Sequence, residues 1–267
     1  MHPATSFKLG RNPRAHNPNI PHLSTIVGAT KLPAPPVSVN YTIGMPEVPD
    51  KFGTMLNDRL GDCTCAAFYH ARQVWTFHST GKTQTVPNAD VVLLYEKACG
   101  YVRDGSEGPG GNEQHVLTYI MRHGAPIGNG GAPNDKILGF VEVPHKNIDD
   151  VKRTIHNCGV AYIGFNVPEN ILPPGGQPPK IWTVEPGQTH PVGGHAVVLP
   201  GYDAEGAIVI SWGTVYKMTW EFFLKYVDEV YAITDRAWSQ SAFALERQLT
   251  LPGGISQAEL VQRMQAV

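Results

Sequence analysis

Apolar side chains recur at helical intervals in the segment 63–79. Ala67, Ala71, Val74 and Trp75 follow the spacing of one helix face, and neighbouring phenylalanines extend that face around most of the circumference. A helix that is apolar on nearly all sides packs inside a protein rather than on its surface. The pattern therefore predicts a central, buried helix that begins at about Cys63.

Three more segments have the composition of helices. The segment 112–123 (NEQHVLTYIMRH) ends before Gly124 and Pro126, which stop helices. The second is 89–99 (ADVVLLYEKAC), and the third, 149–157 (DDVKRTIHN), precedes the strands of the second half. Helices are therefore expected to dominate the first half of the chain.

Short runs of β-branched and aromatic residues, separated by glycine and proline, characterise the second half. Such runs are typical of strands in an antiparallel sheet. They are 160–167 (VAYIGFNV), 195–199 (HAVVL), 207–212 (AIVISW) and 230–234 (VYAIT). The stretch 168–188 is so rich in Pro and Gly that it is predicted to be a loop. Helices followed by strands indicate an α+β chain.

The two ends of the chain differ from its body. Residues 1–50 consist largely of Pro, Asn, His and Ser with little periodicity, which favours an extended N-terminal arm or a propeptide-like segment. The body spans 51–245, with a helical part at about 51–145 and a β-rich part at about 146–245. The C-terminal tail, 246–267, contains Ser256 and Glu259 in the spacing of a capping box, which predicts a short helix there.

Composition and charge exclude several classes of function. The chain has 267 residues, with 28 Gly and 23 Pro, and 21 Lys plus Arg nearly balance 23 Asp plus Glu for a net charge of −2. No electrostatic field would gather nucleic acid or an anionic membrane, so neither is expected as a partner. The start of the chain has no apolar stretch like that of a signal peptide, and no run is long enough to span a bilayer. A cytoplasmic location is expected, with secretion or virion association left open, and the pattern does not address the oligomeric state.

Metal and disulfide chemistry are also not expected. The 4 cysteines are too few and too unevenly spaced for a disulfide scaffold or a four-thiolate zinc site. His115 and His123 could share a helix face, but no third ligand is spaced with them. We therefore expect neither a metal nor a cofactor.

A cysteine stands where the buried helix begins, in the segment 60–67 (LGDCTCAA). A thiolate at a helix N-terminus has a depressed pKa, because the helix dipole stabilises negative charge there. Cys63 is therefore a candidate nucleophile, although for this segment alone a buried structural cysteine is the more common case, because free cysteines are among the most buried residues. Cys65 lies about 200° around the helix from Cys63 and is predicted to be buried and unreactive.

A histidine opens one predicted strand directly after two glycines, in the segment 193–203 (GGHAVVLPGYD). Glycines at this point let a substrate backbone approach closely. His195 follows Cys63 at the lower end of the ~130 to 150 residue interval that separates nucleophile and histidine in papain-type enzymes. Alone, a histidine of this kind is more often a packing residue.

These segments, in this order, resemble the papain-like cysteine peptidases, particularly the divergent bacterial and phage-type members. The resemblance covers roughly 35–234. Besides the segments around Cys63 and His195, it rests on 36–40, 108–111 and 211–213. It implies a two-lobed papain-like fold, in which a helical lobe packs against an antiparallel sheet lobe. It also implies a cysteine peptidase or amide hydrolase that acts on peptide or protein substrates through a thioester, without a cofactor.

The resemblance assigns roles to individual residues. Cys63 is the implied nucleophile and His195 the implied base. Asn57, six residues before Cys63, replaces the family's oxyanion-stabilising glutamine and has a shorter side chain. The implied substrate-binding residues are Gly110, Gly111, Gly194 and Trp212.

The position of the third triad residue departs from the family pattern. Ile210 replaces the asparagine that orients the histidine, so a Cys63–His195 dyad is expected. Ser211 is the nearest polar candidate to orient His195, although strand alternation would turn it away from the face that Ile210 occupies.

Two other functions stay open at this point. The departures at Ile210 and Asn57 would suit a papain-fold protein that has lost turnover and serves as a binding or structural module. Alternatively, the dyad could serve acyl transfer or cell-wall amide cleavage, since the residues around Cys63 also resemble such enzymes.

Overall fold

The computed structural model describes residues 7–15, 17–27, 34–46, 51–128, 134–173, 176–187, 190–241 and 244–245. The α-helices are Leu23–Val27 (α1), Cys63–Thr80 (α2), Asn88–Cys99 (α3), Glu113–His123 (α4), Ile148–Cys158 (α5), Trp220–Tyr226 (α6) and Arg236–Ser239 (α7), and Glu169–Ile171 forms a 3₁₀ turn. The strands are Val39–Asn40 (β1), Ala125–Pro126 (β2), Asn134–Asp135 (β3), Gly139–Glu142 (β4), Ala161–Pro168 (β5), Ile181–Trp182 (β6), Pro191–Tyr202 (β7), Gly206–Ser211 (β8), Thr214–Thr219 (β9) and Val227–Thr234 (β10).

One large sheet dominates the fold, with strand order β4-β10-β5-β7-β8-β9-β6. Its neighbouring strands are antiparallel, except that β6 pairs in parallel with β9. Strand β7 lies between β5 and β8, with Phe165 opposite His195 and Ile210 opposite Val198. The predicted α+β class and its antiparallel sheet are therefore confirmed.

Helix α2 is the buried helix that the periodicity predicts. Every residue from Cys63 to Thr76 is buried, and the helix packs against β7. Its polar side chains find partners inside the protein: Trp75 Nε1 donates to the Cys158 carbonyl at 2.8 Å, and Gln73 Nε2 donates to the Phe52 carbonyl at 2.9 Å. Because α2 begins beside β7, its first residue is brought next to the strand that carries His195.

Several elements differ from the predictions because their partners are distant in sequence. Strand β4 lies in the part predicted to be helical, and it pairs with β10. The Pro- and Gly-rich stretch 168–188 contains β6, which pairs with β9. Within the arm, β1 pairs with Tyr202 and Gly201 of β7. The short helix predicted within 246–267 lies outside the described residues. Among the described helices, none combines the length and the apolar character that crossing a bilayer requires.

Candidate active site

Cys63 is the first residue of α2 and lies against β7. It is 1% exposed, and the backbone amide of Ala196, the residue after His195, hydrogen-bonds its thiol. The helix therefore places the thiol beside the strand segment that carries the histidine. The sequence-predicted nucleophile and base belong to the same site.

The imidazole of His195 is held on two sides. Its Nε2 lies 2.8 Å from Ser211 Oγ, and the Trp212 ring stacks on it with centroids 4.4 Å apart and planes 14° apart. Nδ1, by contrast, finds no hydrogen-bond partner among the described residues. Among the described residues, only one of the two ring nitrogens is therefore hydrogen-bonded.

Trp212 reaches the imidazole from a tight turn. Trp212 and Gly213 form the two-residue loop between β8 and β9, with φ of 46° and 78°. Hairpin loops of this kind need positive φ at both central residues, which suits Gly213 but is unfavourable for a tryptophan. The stacking of the indole on His195 is one contact that favours this unusual conformation.

The register of β7 and β8 explains why Ser211, and not Ile210, meets His195. Ile210 pairs with Val198 on one face of the sheet. His195 is three residues before Val198 and Ser211 is one residue after Ile210, so both side chains point to the opposite face. Ser211 does turn away from the face of Ile210, as alternation predicts, and for that reason it reaches the histidine.

Asn57 lies in the loop that precedes α2. It is 2% exposed, and its Nδ2 donates to the Leu60 carbonyl at 3.0 Å. The Asn57 side chain also hydrogen-bonds the buried carboxyl group of Asp62. Met55 and Leu56, just before it, have positive φ of 54° and 70°, which marks this loop as strained.

Solved structures with this architecture are cysteine proteases. Xylellain, a cysteine protease from Xylella fastidiosa, matches with a TM-score of 0.62 and 16% identity over 86% of this chain and 97% of that one. ProCathepsin B S9 from Trypanosoma congolense matches with a TM-score of 0.55 and 11% identity, over 88% of this chain and 87% of that one. The bromelain protease from Ananas comosus, in complex with E64, gives 0.53 and 16%, over 75% and 100%. This chain has the papain-like fold. No protein-family model matches the chain, and no curated protein sequence matches it significantly.

The papain-like cleft of this protein is occupied by its own N-terminal arm. Asn12 N donates to the Gly111 carbonyl at 2.8 Å, and Gly111 N donates to the Gly10 carbonyl at 2.7 Å. Arg11 N donates to the Gly194 carbonyl at 3.1 Å. The arm therefore pairs with both walls of the cleft through its backbone.

Side chains and close backbone contacts complete this occupation. Phe7 stacks on Trp212 with centroids 5.0 Å apart, and the backbone amide of Gly10 hydrogen-bonds the Cys63 thiol. A Cβ on Gly110 would lie 2.5 Å from the Gly10 carbonyl oxygen. Together with Gly111 and Gly194, the predicted substrate-binding residues Gly110 and Trp212 thus all contact the arm. The weak periodicity of residues 1–50 carries no signal for this location.

Burial governs the ionisation of Cys63 and His195. Desolvation raises the pKa of Cys63 to about 12, despite the amides of Ala196 and Gly10, which lower it. Burial, followed by repulsion from His70, lowers the pKa of His195 to about 3. Both groups are therefore neutral with the arm in place. The expected depressed thiol pKa is wrong for this covered form, because burial outweighs the helix N-terminus.

Cys65 lies on the other side of α2, as predicted. It is fully buried, and burial together with a hydrogen bond to Cys99 raises the pKa of its thiol well above the ordinary value. A buried thiol of this kind is a poor nucleophile. Within the described ranges, His, Cys, Asp and Glu side chains do not gather into any group of three or more that could hold a metal ion.

Four charged residues of the site escaped sequence reasoning. The backbone of Arg11 pairs with the cleft, and its side chain forms salt bridges with a cluster of Glu113, Asp228 and Glu229. These carboxylates come from α4 and β10, at least 102 positions from Arg11 in the sequence. No local motif joins residues so far apart, and only the fold reveals the cluster.

Proposed function

We propose that the protein is a cysteine peptidase in which Cys63 and His195 form the catalytic pair. The observation that carries this proposal is the engagement of His195 Nε2 by Ser211, which leaves Nδ1 without a partner among the described residues, next to the helix start that bears Cys63. The papain-like fold, shared with solved cysteine proteases, supports the same conclusion. The substrate is a peptide or a protein.

The reaction follows from the chemistry of these groups. His195 accepts the proton of the Cys63 thiol, and the thiolate attacks the carbonyl carbon of the scissile bond. The backbone N–H of Cys63 and the side-chain amide of Asn57 stabilise the oxyanion. His195 then protonates the amine as the C–N bond breaks, which leaves a thioester on Cys63. A water molecule, deprotonated by His195, hydrolyses the thioester and releases the acid.

The arm is a propeptide-like segment that keeps this machinery closed. Its contacts with Gly111, Gly194 and Trp212 occupy the surface that a substrate would need. Similar solved structures include the Amb a 11 cysteine protease in its proform. Because the covered dyad is neutral, turnover requires that the arm leave the cleft.

A catalytically silent binding module is the second candidate, and the burial of both dyad residues favours it. The test compares wild type with the full-length variants Cys63→Ala, Cys65→Ala and His195→Ala, each also in an Arg11→Ala background that loosens the arm. Peptide hydrolysis is followed by mass spectrometry, and thiols are mapped with iodoacetamide.

We expect hydrolysis in the Arg11→Ala background that disappears with Cys63→Ala and falls about 10²- to 10⁴-fold with His195→Ala. Cys65→Ala is the matched control at a buried cysteine and should keep both turnover and labelling at Cys63. The absence of hydrolysis of any peptide by the opened protein, with Cys63 labelled no faster than Cys65, would establish the silent alternative.

A further inference from the structure

The guanidinium of Arg11 is buried among three carboxylates. The Arg11 side chain is 1% exposed, and its Nε lies 2.7 Å from Glu113 Oε1 and 2.9 Å from Glu229 Oε1. Its Nη2 also pairs with Glu229 and with Asp228, and Nη1 lies 3.3 Å from Asp228 Oδ2. Every nitrogen of the fork therefore faces a carboxyl oxygen.

The body of the protein builds this pocket, and the arm only fills it. Glu113 opens α4, while Asp228 and Glu229 lie on β10. Tyr231 Oη donates to Glu229 Oε2 at 2.5 Å and Asn166 Nδ2 donates to Asp228 Oδ2 at 3.1 Å, so body residues hold two of the carboxylates in place.

A glycine leaves the space that the guanidinium takes. A Cβ on Gly164 of β5 would lie 2.1 Å from Glu113 Oε1 and 2.3 Å from Arg11 Nε. Any side chain at this position would fill the pocket and displace the cation. The cavity therefore depends on the missing side chain of Gly164.

The charge of the pocket requires a cation. The side chains of Glu113 and Glu229 are 0% exposed, and that of Asp228 is 37% exposed. Arg11 is their only salt-bridge partner among the described residues. Burying carboxylates without a counter-ion is strongly unfavourable, so the departure of the arm leaves a pocket that attracts another cation.

We propose that this pocket, formed by Glu113, Asp228, Glu229 and Gly164, is the site that selects an arginine side chain of the substrate, and that Arg11 occupies it in the arm-bound form. The proposal rests on the proposed function. Arg11 pairs through its backbone with Gly194, the residue before His195, so a peptide residue in the same place would lie beside the dyad.

The geometry favours arginine over lysine. A planar guanidinium donates in several fixed directions at once and here meets three separate carboxylates. A lysine ammonium is a compact charge that would contact fewer of them. The alternative is that the cluster serves only to anchor the arm, and the test below includes that outcome.

The first experiment measures occupancy without catalysis. Thermal unfolding of the full-length wild type and of the Arg11→Ala variant is measured in the presence of Nα-acetyl-arginine methylamide. Its uncharged citrulline analogue serves as the matched control ligand. We expect the arginine compound alone to raise the melting temperature of Arg11→Ala, and neither compound to affect wild type. If Arg11→Ala does not fold, Arg11→Met, which keeps an apolar stem, takes its place. No shift, or equal shifts with both compounds, would mean an arm anchor only.

The second experiment measures selectivity. A positional peptide library is offered to Arg11→Ala and to the same protein carrying Glu229→Gln or Asp228→Asn, with Glu221→Gln on the exposed face of α6 as the control for the chemical change. We expect arginine to be preferred over lysine and citrulline at one position by about tenfold or more. Glu229→Gln should remove most of this preference, Asp228→Asn less of it because Asp228 is partly exposed, and Glu221→Gln none.

The two experiments separate this proposal from the proposed function. Hydrolysis without arginine preference would overturn the selectivity while the peptidase stands. A thermal shift with the arginine compound alone, without hydrolysis of any peptide, would support the arginine-binding pocket and contradict the proposed peptidase activity.

Discussion

At the scale of single residues, Ser211 and not Ile210 forms the hydrogen bond with His195. Ile210 sits where the resemblance implies an asparagine, yet it faces away from the imidazole, because it pairs with Val198. Ser211, on the opposite face, lies 2.8 Å from His195 Nε2. Introducing an asparagine at Ile210 is therefore expected to destabilise the core without increasing turnover.

Ser211→Ala tests whether Ser211 is a positioning residue. Loss of a hydrogen bond to a buried histidine costs about 1 to 3 kcal/mol, so we expect kcat of the opened protein to fall about 10- to 100-fold. KM should change little, and the pH profile of kcat should shift, because the imidazole loses its partner.

Ile210→Val provides the control on the other face of β8. It should lower the free energy of unfolding by about 0.5 to 1.5 kcal/mol and leave kcat unchanged. Full kcat and an unchanged pH profile in Ser211→Ala would mean that the serine only packs beside the histidine.

At the scale of elements, the arm behaves as an additional strand laid between the two walls of the cleft. Its backbone pairs with Gly111 on one side and Gly194 on the other. At the crossing point Gly10 passes so close to the loop before α2 that a Cβ on it would lie 1.9 Å from the Gly61 carbonyl oxygen. Such an approach of two backbones is open only to glycine.

Gly10→Ala is therefore expected to expel the arm from the cleft. The clash is with backbone, which has little room to move, so the arm must shift as a unit. Iodoacetamide labelling of Cys63 near neutral pH should become at least tenfold faster, because exposure removes the desolvation that raises the pKa of its thiol.

Asn12→Ala is the matched change within the same segment. Its side chain is exposed and makes one long hydrogen bond, of 3.3 Å, to the Pro109 carbonyl. Labelling should stay near the wild-type rate. Equal rates in Gly10→Ala and wild type would show that the arm does not control access to Cys63.

At the scale of the whole molecule, the fold buries several ionisable groups in their neutral forms, and stability therefore depends on pH. Burial lowers the pKa of His70 to about 4, and its Nε2 lies 2.9 Å from the Gly53 carbonyl oxygen. Burial also raises the pKa of Asp235 to about 6. As the pH falls, the shift of His70 lowers the free energy of unfolding and the shift of Asp235 raises it. The pH dependence of wild type alone therefore cannot separate them, and a variant of one group is more informative.

His70→Gln isolates the contribution of one histidine. Below pH ~6.5 the unfolded chain binds a proton at His70 that the folded chain does not bind until about pH 4, so wild type loses ~1.4 kcal/mol per pH unit in this window from His70. Relative to wild type, the free energy of unfolding of His70→Gln should therefore rise by about 2 to 3 kcal/mol between pH 7 and pH 4.5.

Denaturant titrations at both pH values measure this difference. His115→Gln, at an exposed position of α4, makes the same chemical change outside the core and should show no comparable gain. A His70→Gln difference that does not change with pH would mean that folding does not lower the pKa of His70.

Local pattern was sufficient for α2 and for the main strands β5 and β7, and it placed Cys63 and His195 at the start of a helix and in a strand. The apolar periodicity of 63–79 predicted α2 because a helix that is apolar all round must be buried, and Cys63 at its start follows from the same segment. The runs 160–167 and 195–199 predicted β5 and β7 because β-branched residues suit a buried sheet. The glycines before His195 indicated a surface that another backbone can approach, since residues without side chains leave that space, whereas the role of 108–111 came only from the resemblance.

Only the tertiary structure decided how those groups are used. Ser211 and not Ile210 meets His195 because of the register of β7 and β8. A slip of one residue would exchange the faces of these two side chains. The contacts of the arm in the cleft are made to residues that are distant in sequence, so the local pattern of residues 1–50 does not mark its location. Arg11 meets Glu229 from 218 positions away, and the high pKa of Cys63 results from burial beneath a segment that is remote along the chain. Long-range contacts and desolvation are properties of the packed chain, and local sequence does not encode them.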